Sequence, residues 1–479
     1  MTKNTKKNQF SLDVGIIHFI GIGGIGMSGI AEILHNLGYK VQGSDNAGSN
    51  VTERLESLGI KVIIGQKEEN IEGAAVIVKS SAIKDSNPEI TAARAKNVPV
   101  IKRAEMLAEI MRLKACIAIA GTHGKTTTTT MVTSVLDAAK LDPTVINGGI
   151  INAYGSNAHL GDGEWLVAEA DESDGTFLKL PATIAVVTNI DPEHLENYEG
   201  SFDVLRKAFR DYIENIPFYG FGVLCIDHPE VSALHKKITD RKLITYGIET
   251  PDANIKAENI QATPAGSKYD VRISGLSTEK DRVIDEIYLS MPGMHNVMNS
   301  LAAVSIAVEL GFHDDEIRQA FSNFKGIKRR FTKTGEVEGV QIIDDYAHHP
   351  TEIKVTLKTA KQVVPEGSGK VIAVLQPHRF SRVRDLFDEF CNCFADADIV
   401  IVSDIYRAGE EPIEGIDQKH LIEGIKKSGK SEVHALPSAD ALAGMVNDLA
   451  KPGDIVVCLG AGDVTKWAAG LPEGLEKAA

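Results

Sequence analysis

The stretch Ala120-Gly121-Thr122-His123-Gly124-Lys125-Thr126, continued by Thr127 to Thr130, puts an ammonium and a row of hydroxyls behind two glycines. That order suits a polyphosphate. Backbone N–H groups of a glycine turn and the positive end of a following helix wrap the anion, a lysine neutralises it and the first hydroxyl holds Mg²⁺. Gly121, Thr122, His123, Gly124, Lys125, Thr126 and Thr127 are the candidate contacts. The usual loop carries one more glycine, five residues before Gly124, where this chain has Ile119. A solvent-exposed turn can also read Gly-x-x-Gly-Lys-Thr. The flanks favour the phosphate loop: Cys116 to Ala120 is apolar like a buried strand, and Met131 to Ala139 has helical periodicity.

Carboxylates and imidazoles follow at two strand-like ends. Trp165 to Ala168 leads into Glu169-Ala170-Asp171-Glu172-Ser173-Asp174, and Ile184 to Val187 leads into Thr188-Asn189-Ile190-Asp191-Pro192-Glu193-His194. Parallel strands deliver such residues at their carboxyl ends, beside the phosphate loop. Mg²⁺ on ATP takes one or two carboxylates plus phosphates and waters, which the acidic cluster can supply, with His194 adding a ligand or orienting a water. A solvated acidic loop and an ordinary loop histidine are the plain alternatives.

A second glycine turn, Gly21-Ile22-Gly23-Gly24-Ile25-Gly26, follows the apolar Ile16 to Ile20 and precedes a helix pattern ending at Gly38. With Ser44-Asp45 about twenty residues on, it fits the diphosphate-binding βαβ fingerprint, although a tight turn without ligand reads the same. Ser80-Ser81 closes another strand-like run; its hydroxyls suit phosphate oxygens, or only a cap. Near residue 296, Asn296 and Asn299 share a helix face and suit either an adenine edge or capping. Arg329-Arg330 forms a basic linker. Asp344-Asp345-Tyr346-Ala347-His348-His349 and Gln376-Pro377-His378-Arg379-Phe380-Ser381-Arg382 end two more strands, at positions preferred by ligand sites.

Positioning these groups takes a large α/β chain. Its 479 residues suit about three domains. We place an N-terminal Rossmann-like domain at 1–112, a central mononucleotide-binding domain of phosphate-loop type at 113–327 and a second Rossmann-like unit at 328–479. Residues 255–289 read as an appended antiparallel piece. The net charge of −15 argues against nucleic acid or a membrane surface as partner. Five cysteines without metal-type spacing read as buried thiols. The polar N-terminus carries neither a secretory signal nor a span, so no membrane insertion and a cytoplasmic protein are expected.

The segments GTHGKTTTT, EADESD, TNIDPEHLENY, PGMHNVMNSLAA, KGIKRRF, DDYAHHPTE and QPHRFSR together resemble the Mur ligases, in matching order over most of the chain. GIGGIGMSGIAE is similar to the branch that adds L-alanine to UDP-N-acetylmuramate. The resemblance implies ATP-dependent amide formation. The lactyl carboxylate attacks the γ-phosphate of ATP, and the amine of L-alanine then attacks the acyl phosphate. It implies Lys125, Glu169, His194, His348 and Arg379 as catalytic residues and Thr126, Glu169 and His194 as Mg²⁺ ligands. His295, Asn296, Asn299, Arg330 (Arg329 in reserve) and Asp345 join the ATP contacts. Tyr346, His348, His378, Arg379 and Arg382 surround the amino acid. The diphosphate of the UDP-sugar falls to Gly21, Gly23, Gly24, Gly26, Ser44, Asp45, Ser80 and Ser81. The family's usual Asp-His is Glu193-His194 here, and Lys207 is a candidate for the carbamylated lysine of some members. Monomer and homodimer both fit, and closure of the last domain is expected to assemble the site. Alternatives from the same residues are a ligase for a preformed peptide, a nucleotide-driven switch and an NAD-dependent dehydrogenase.

Overall fold

A computed structural model describes residues 14–478 except 81, 174, 278–279, 365–368 and 431, so Ser81 and Asp174 lie outside the described residues. Among the described residues the chain builds three sheets. The first has the order Lys61–Ile64, Lys40–Asp45, Ile16–Ile20, Ala74–Lys79, Val100–Lys102 and is parallel throughout. The second runs Arg282–Leu289, Gly266–Ile273, Ile255–Thr263, Lys242–Gly247, Phe221–Cys225, Ile184–Val187, Ala115–Ala120, Trp165–Glu169, Thr144–Ile151, Ser156–His159. The third runs Thr332–Val337, Val340–Asp345, Ile455–Leu459, Val371–Leu375, Ile399–Val402, Val433–Ala435, parallel except for its first pair.

The central strands, such as Ile184–Val187, Val371–Leu375 and Ile399–Val402, are apolar runs of the sequence. Buried on both faces, they need no alternation of apolar and polar residues. Residues 255–289 extend the central sheet itself, and their first strand joins Lys242–Gly247 in parallel. Around Asn157 the chain forms the strand Ser156–His159, antiparallel to Thr144–Ile151.

By its contacts the chain forms two compact units. One runs to Asn259 and adds Tyr269–Ile287 and Met298–Lys325; the other comprises Ile260–Lys268, Tyr288–Val297 and Gly326–Ala479. The first unit holds both glycine turns. Its N-terminal and central parts share one hydrophobic cluster, in which Ile17, Ile30 and Met106 pack with Cys116, Leu166 and Ala168. In the second unit, clusters around Ile353, Val400 and Leu421 and around Ile401, Leu442 and Val464 cover the two faces of the third sheet. All five cysteines are buried, as their apolar surroundings in the sequence imply.

The strand Ala115–Ala120 lies between Ile184–Val187 and Trp165–Glu169, parallel to both. The chain leaves it towards Thr144 on one side and returns to Ile184 on the other, which makes its carboxyl end a switch point of the sheet.

Candidate functional site

The helix Lys125–Ala138 starts six residues earlier than its periodicity suggests, directly on Gly124. Threonine is a poor helix former, yet Thr126 to Thr130 are all buried. Their hydroxyls are partly satisfied within the helix, Thr130 Oγ1 donating to the Thr126 carbonyl at 2.9 Å. Packing therefore overrides propensity. Both turn glycines are obligatory. Gly124 has φ +81° and Gly121 φ +131°, and a Cβ on Gly121 would sit 2.1 Å from Thr188 Oγ1. The missing glycine needs no compensation, because Ile119 is a fully buried strand residue paired in register with Glu169.

The end of strand Ile184–Val187 holds the loop from outside. Asn189 Oδ1 accepts from His123 N at 2.7 Å, Thr188 Oγ1 donates to the His123 carbonyl at 2.7 Å, and Thr122 Oγ1 accepts from Asp191 N at 2.8 Å. The His123 ring faces Asp191 and Glu193, Nε2 lying 3.5 and 3.3 Å from their carboxylates, and His228 reaches Asp191 at 3.4 Å. Nothing local in the sequence signals His228 as a partner of Asp191.

The three described acids after Trp165–Glu169 go three ways. Glu169 Oε2 accepts from Thr126 Oγ1 at 3.0 Å and from Gly148 N at 2.9 Å. A Cβ on Gly148 would stand 2.5 Å from that oxygen, so Gly148 is what lets the carboxylate approach. Glu172 pairs with Lys125 at 2.9 Å, and Asp171 with Arg103 at 3.0 Å. Among the described acids the run is thus not one ligand cluster: of these, Glu169 stands beside the Thr126 hydroxyl. Lys125 Nζ also donates to the carbonyls of Gly121 and Thr122 at 2.6 and 3.1 Å. Burial pulls its ammonium down, but Glu172, Glu169 and Asp171 outweigh burial and hold it above its ordinary 10.5. Burial first, and Asp171 beside it, lift the Glu172 carboxyl against the pull of Lys125. Thr127 is buried in the first helical turn.

His194 has φ +56° and caps a short 3₁₀ turn, its ring 4.0 Å from Glu193 and 3.9 Å from Glu196. Lys207 does not reach the loop; it is an exposed side chain paired with Asp211 one helical turn on, where a charged residue on a solvated helix face normally pairs. Asn299 lies against the loop: a Cβ on Gly124 would be 2.7 Å from its Oδ1.

The first glycine turn uses the same backbone device without a lysine of its own. Gly21 has φ +78°, and Gly21 N and Ile22 N donate to the Ser44 carbonyl at 2.8 and 3.0 Å. Asp45 Oδ2 accepts from Gly23 N at 2.9 Å. Gly24 caps the helix Ile25–Asn36 with no side-chain cap, which leaves first-turn N–H groups open to an anion. Ser80 Oγ lies in contact range of Gly21. Ser44 differs from the expectation. Its hydroxyl is turned into the core and donates to buried Glu89 at 2.7 Å, because alternate residues of a strand face opposite sides. Arg103, which carries no motif signal, packs against Gly26 and, with Ser80, Asn147, Gly148, Glu169 and Asp171, lines a cavity of about 300 Å³ running from this turn to Glu169.

In the second unit a row of rings follows Asp345. Tyr346 meets His348 edge-on at 5.1 Å, His348 meets His378 edge-on at 5.8 Å, and His378 stacks on Tyr406 at 5.4 Å. Arg382 Nη1 is 3.4 Å from His378 Nδ1. Burial, then His348, Arg382 and Arg379, push the His378 imidazole from 6.5 to about 4, so it is neutral at ordinary pH. Arg379 holds φ +71°, a strained value of the kind that collects at functional sites. Arg330 lies over the Tyr346 ring at 5.5 Å, while Arg329 is tied to the Gly460 carbonyl at 2.6 Å, which leaves Arg330 as the more available of the two. Asp345 is buried with its oxygens taken by Phe331 N and Ala347 N at 2.7 and 2.8 Å, so its visible task is to fold the linker. Burial and then the charge of Arg330 lower His295 from 6.5 to about 4. Asn296, 1 % exposed, donates to the Pro292 carbonyl at 2.7 Å, a capping contact.

Comparison with known proteins agrees with this geometry. The model of the Mur ligase family, catalytic domain, matches residues 16–115, that of the Mur ligase middle domain 119–307 and that of the Mur ligase glutamate ligase domain 329–462. A UDP-N-acetylmuramate–L-alanine ligase of Rhodospirillum centenum is 59 % identical over 97 % of this chain and 95 % of its own. The crystal structure of a UDP-N-acetylmuramate-alanine ligase from Thermotoga maritima is similar with a TM-score of 0.82 and 30 % identity, covering 97 % of this chain and 100 % of that one. A murein peptide ligase from Psychrobacter arcticus, at 24 % identity and a TM-score of 0.69 over 96 % of this chain and 98 % of its own, shares the fold. The glycine turns, the acids at strand ends and the three-domain α/β architecture have one common explanation: the chain belongs to the Mur ligase family.

Proposed function

We propose that the chain joins L-alanine to the lactyl carboxylate of UDP-N-acetylmuramate at the expense of ATP, releasing ADP and phosphate, in the synthesis of peptidoglycan precursors in the cytoplasm. The observation that carries this reading is the Lys125 loop at a sheet switch point with the Thr126–Glu169 pair beside it. The names of relatives 57–59 % identical over nearly the whole chain support the substrates. Working boundaries are 1–112 for the UDP-sugar, 113–327 for ATP, and 328–479 for the amino acid and part of the nucleotide.

A carboxylate is a poor electrophile for an amine, so phosphorylation supplies a leaving group. Two anions must meet, and Lys125, held charged by its acids, offsets the repulsion and the charge on the transferred phosphoryl group. Glu172 holds the ammonium over the loop before ligand arrives. Glu169 and Thr126 offer a carboxylate and a hydroxyl 3.0 Å apart, a hard-oxygen pair that fits Mg²⁺, and His194, beside Glu193 and Glu196, serves at or next to a second ion. A bound Mg²⁺ would neutralise the phosphates and polarise the γ-phosphoryl group. The open N–H groups of the first helical turn after Gly24, with Ser80 and Arg103, take the diphosphate and direct the lactyl arm towards Glu169. Arg330 reaches phosphate, while neutral His378, with His348, Arg379 and Arg382, takes the amino acid.

The test is phosphate release. It is expected only with UDP-N-acetylmuramate and L-alanine both present; release with neither, or reduction of NAD, would overturn the reading. A ligase for a preformed peptide is less favoured, since the murein peptide ligase shares only 24 % identity.

A further inference from the structure

The third sheet has a cavity of about 630 Å³ at the carboxyl ends of Val371–Leu375, Ile399–Val402 and Val433–Ala435. It sits at a second switch point. From Ile399–Val402 the chain goes to the helix Gln418–Lys427 on one face, and from Val433–Ala435 to the helix Leu442–Leu449 on the other. Tyr406 lines this cavity, with Trp467, Arg407, Asp404 and Ser438. The same Tyr406 ring stacks on His378 at 5.4 Å with 12° between the planes, while His378 is not among the residues lining the cavity. The backbone at Tyr406 is held on both sides, and Gly462 leaves room for the ring. Tyr406 N donates to the Pro377 carbonyl at 2.8 Å, Arg379 N donates to the Tyr406 carbonyl at 2.9 Å, and a Cβ on Gly462 would lie 2.8 Å from Tyr406 Cγ. One ring therefore belongs both to the His378 cluster and to the wall of an adjoining space.

We propose that Tyr406 is a specificity-determining residue: it closes the amino-acid site against the cavity behind it and so limits the acceptor to a small side chain. This rests on the reading of His378 as an amino-acid contact. Without the ring, the space opens to an acceptor with a longer apolar side chain, and the few carbons of difference between acceptors are of the size a pocket wall discriminates.

The experiment uses the full chain with ATP and UDP-N-acetylmuramate saturating and compares kcat/KM for L-alanine and L-norvaline. Tyr406→Ala is expected to narrow the alanine-to-norvaline ratio by about tenfold or more, with KM for ATP little changed. Tyr406→Phe, which keeps the stacked ring, is expected to leave the ratio as it was. An unchanged ratio in Tyr406→Ala, or an equal loss for both acceptors, would overturn the proposal. If Tyr406→Ala does not fold, as judged by thermal melting, Tyr406→Leu takes its place with the same two outcomes. His378→Ala separates the two readings. If it leaves KM for L-alanine unchanged, the amino-acid assignment fails; if it raises that KM while the Tyr406 variants keep the ratio, only the role of Tyr406 fails.

Discussion

The two glycine turns of the first unit, Gly21–Gly26 and Gly121–Gly124, share a backbone solution and differ in charge. Each follows a buried parallel strand, contains positive-φ glycine and opens a helix without a side-chain cap. At the first turn an acid, Asp45, occupies Gly23 N–H, and the turn itself carries no lysine. At the second a lysine is held by Glu172 and by two loop carbonyls. The first turn draws its cation from outside, as Arg103 against Gly26, while the second carries its own. A buried cation needs acids to keep it charged.

Breaking the cation should give the largest effect. Lys125→Ala is expected to lower phosphate release by about 10³-fold or more while UDP-sugar binding, followed by calorimetry, stays within about threefold; loss of both would mean the two turns do not have separate tasks. Glu169→Gln comes next. It should raise the Mg²⁺ concentration for half-maximal turnover by about 10–100-fold and leave the first turn unaffected, as a magnesium titration would read. The backbone itself can be compared by thermal melting. Gly121→Ala combines φ +131° with a 2.1 Å clash and should cost about 2–4 kcal/mol, whereas Gly23→Ala, whose Cβ meets the movable Asp45 carboxylate at 2.9 Å, should cost about 1 kcal/mol. Asp45→Asn is expected to weaken UDP-sugar binding by about three- to tenfold without touching the KM for ATP.

The smallest effect concerns alkaline pH. Lys125 has its native value above the unfolded 10.5. Its charged form therefore contributes stability that is fully present below pH 10.5 and is lost as pH rises through the higher native value. The stability difference between the native chain and Lys125→Met should be flat from pH 8 to 10 and shrink beyond. A difference that already fell near pH 8 would show that the acids do not hold the lysine charged.

Much of this was legible in the chain. Ile16–Ile20, Ile184–Val187, Val371–Leu375, Ile399–Val402 and Ile455–Leu459 have the bounds that their apolar runs suggest. Continuous apolar runs between glycine and polar clusters are local signals, and parallel strands between helices leave little freedom in reading them. The start of the helix at Lys125 was hidden because threonine disfavours helix until packing buries it. The side on which Ser44 falls was hidden because strand register, which the sequence does not state, turns its hydroxyl to Glu89.

By itself the sequence determined the order of strand, glycine turn and helix, the residue types at each strand end and the family, since each of these is written within a few consecutive residues. Only the tertiary structure decided how the acids were shared out: Glu172 to Lys125, Asp171 to Arg103, Glu169 to Thr126. Those partners lie 47, 68 and 43 positions apart. Neighbouring carboxylates look alike in a sequence, and the direction each one points depends on the strand end and on what packs beside it.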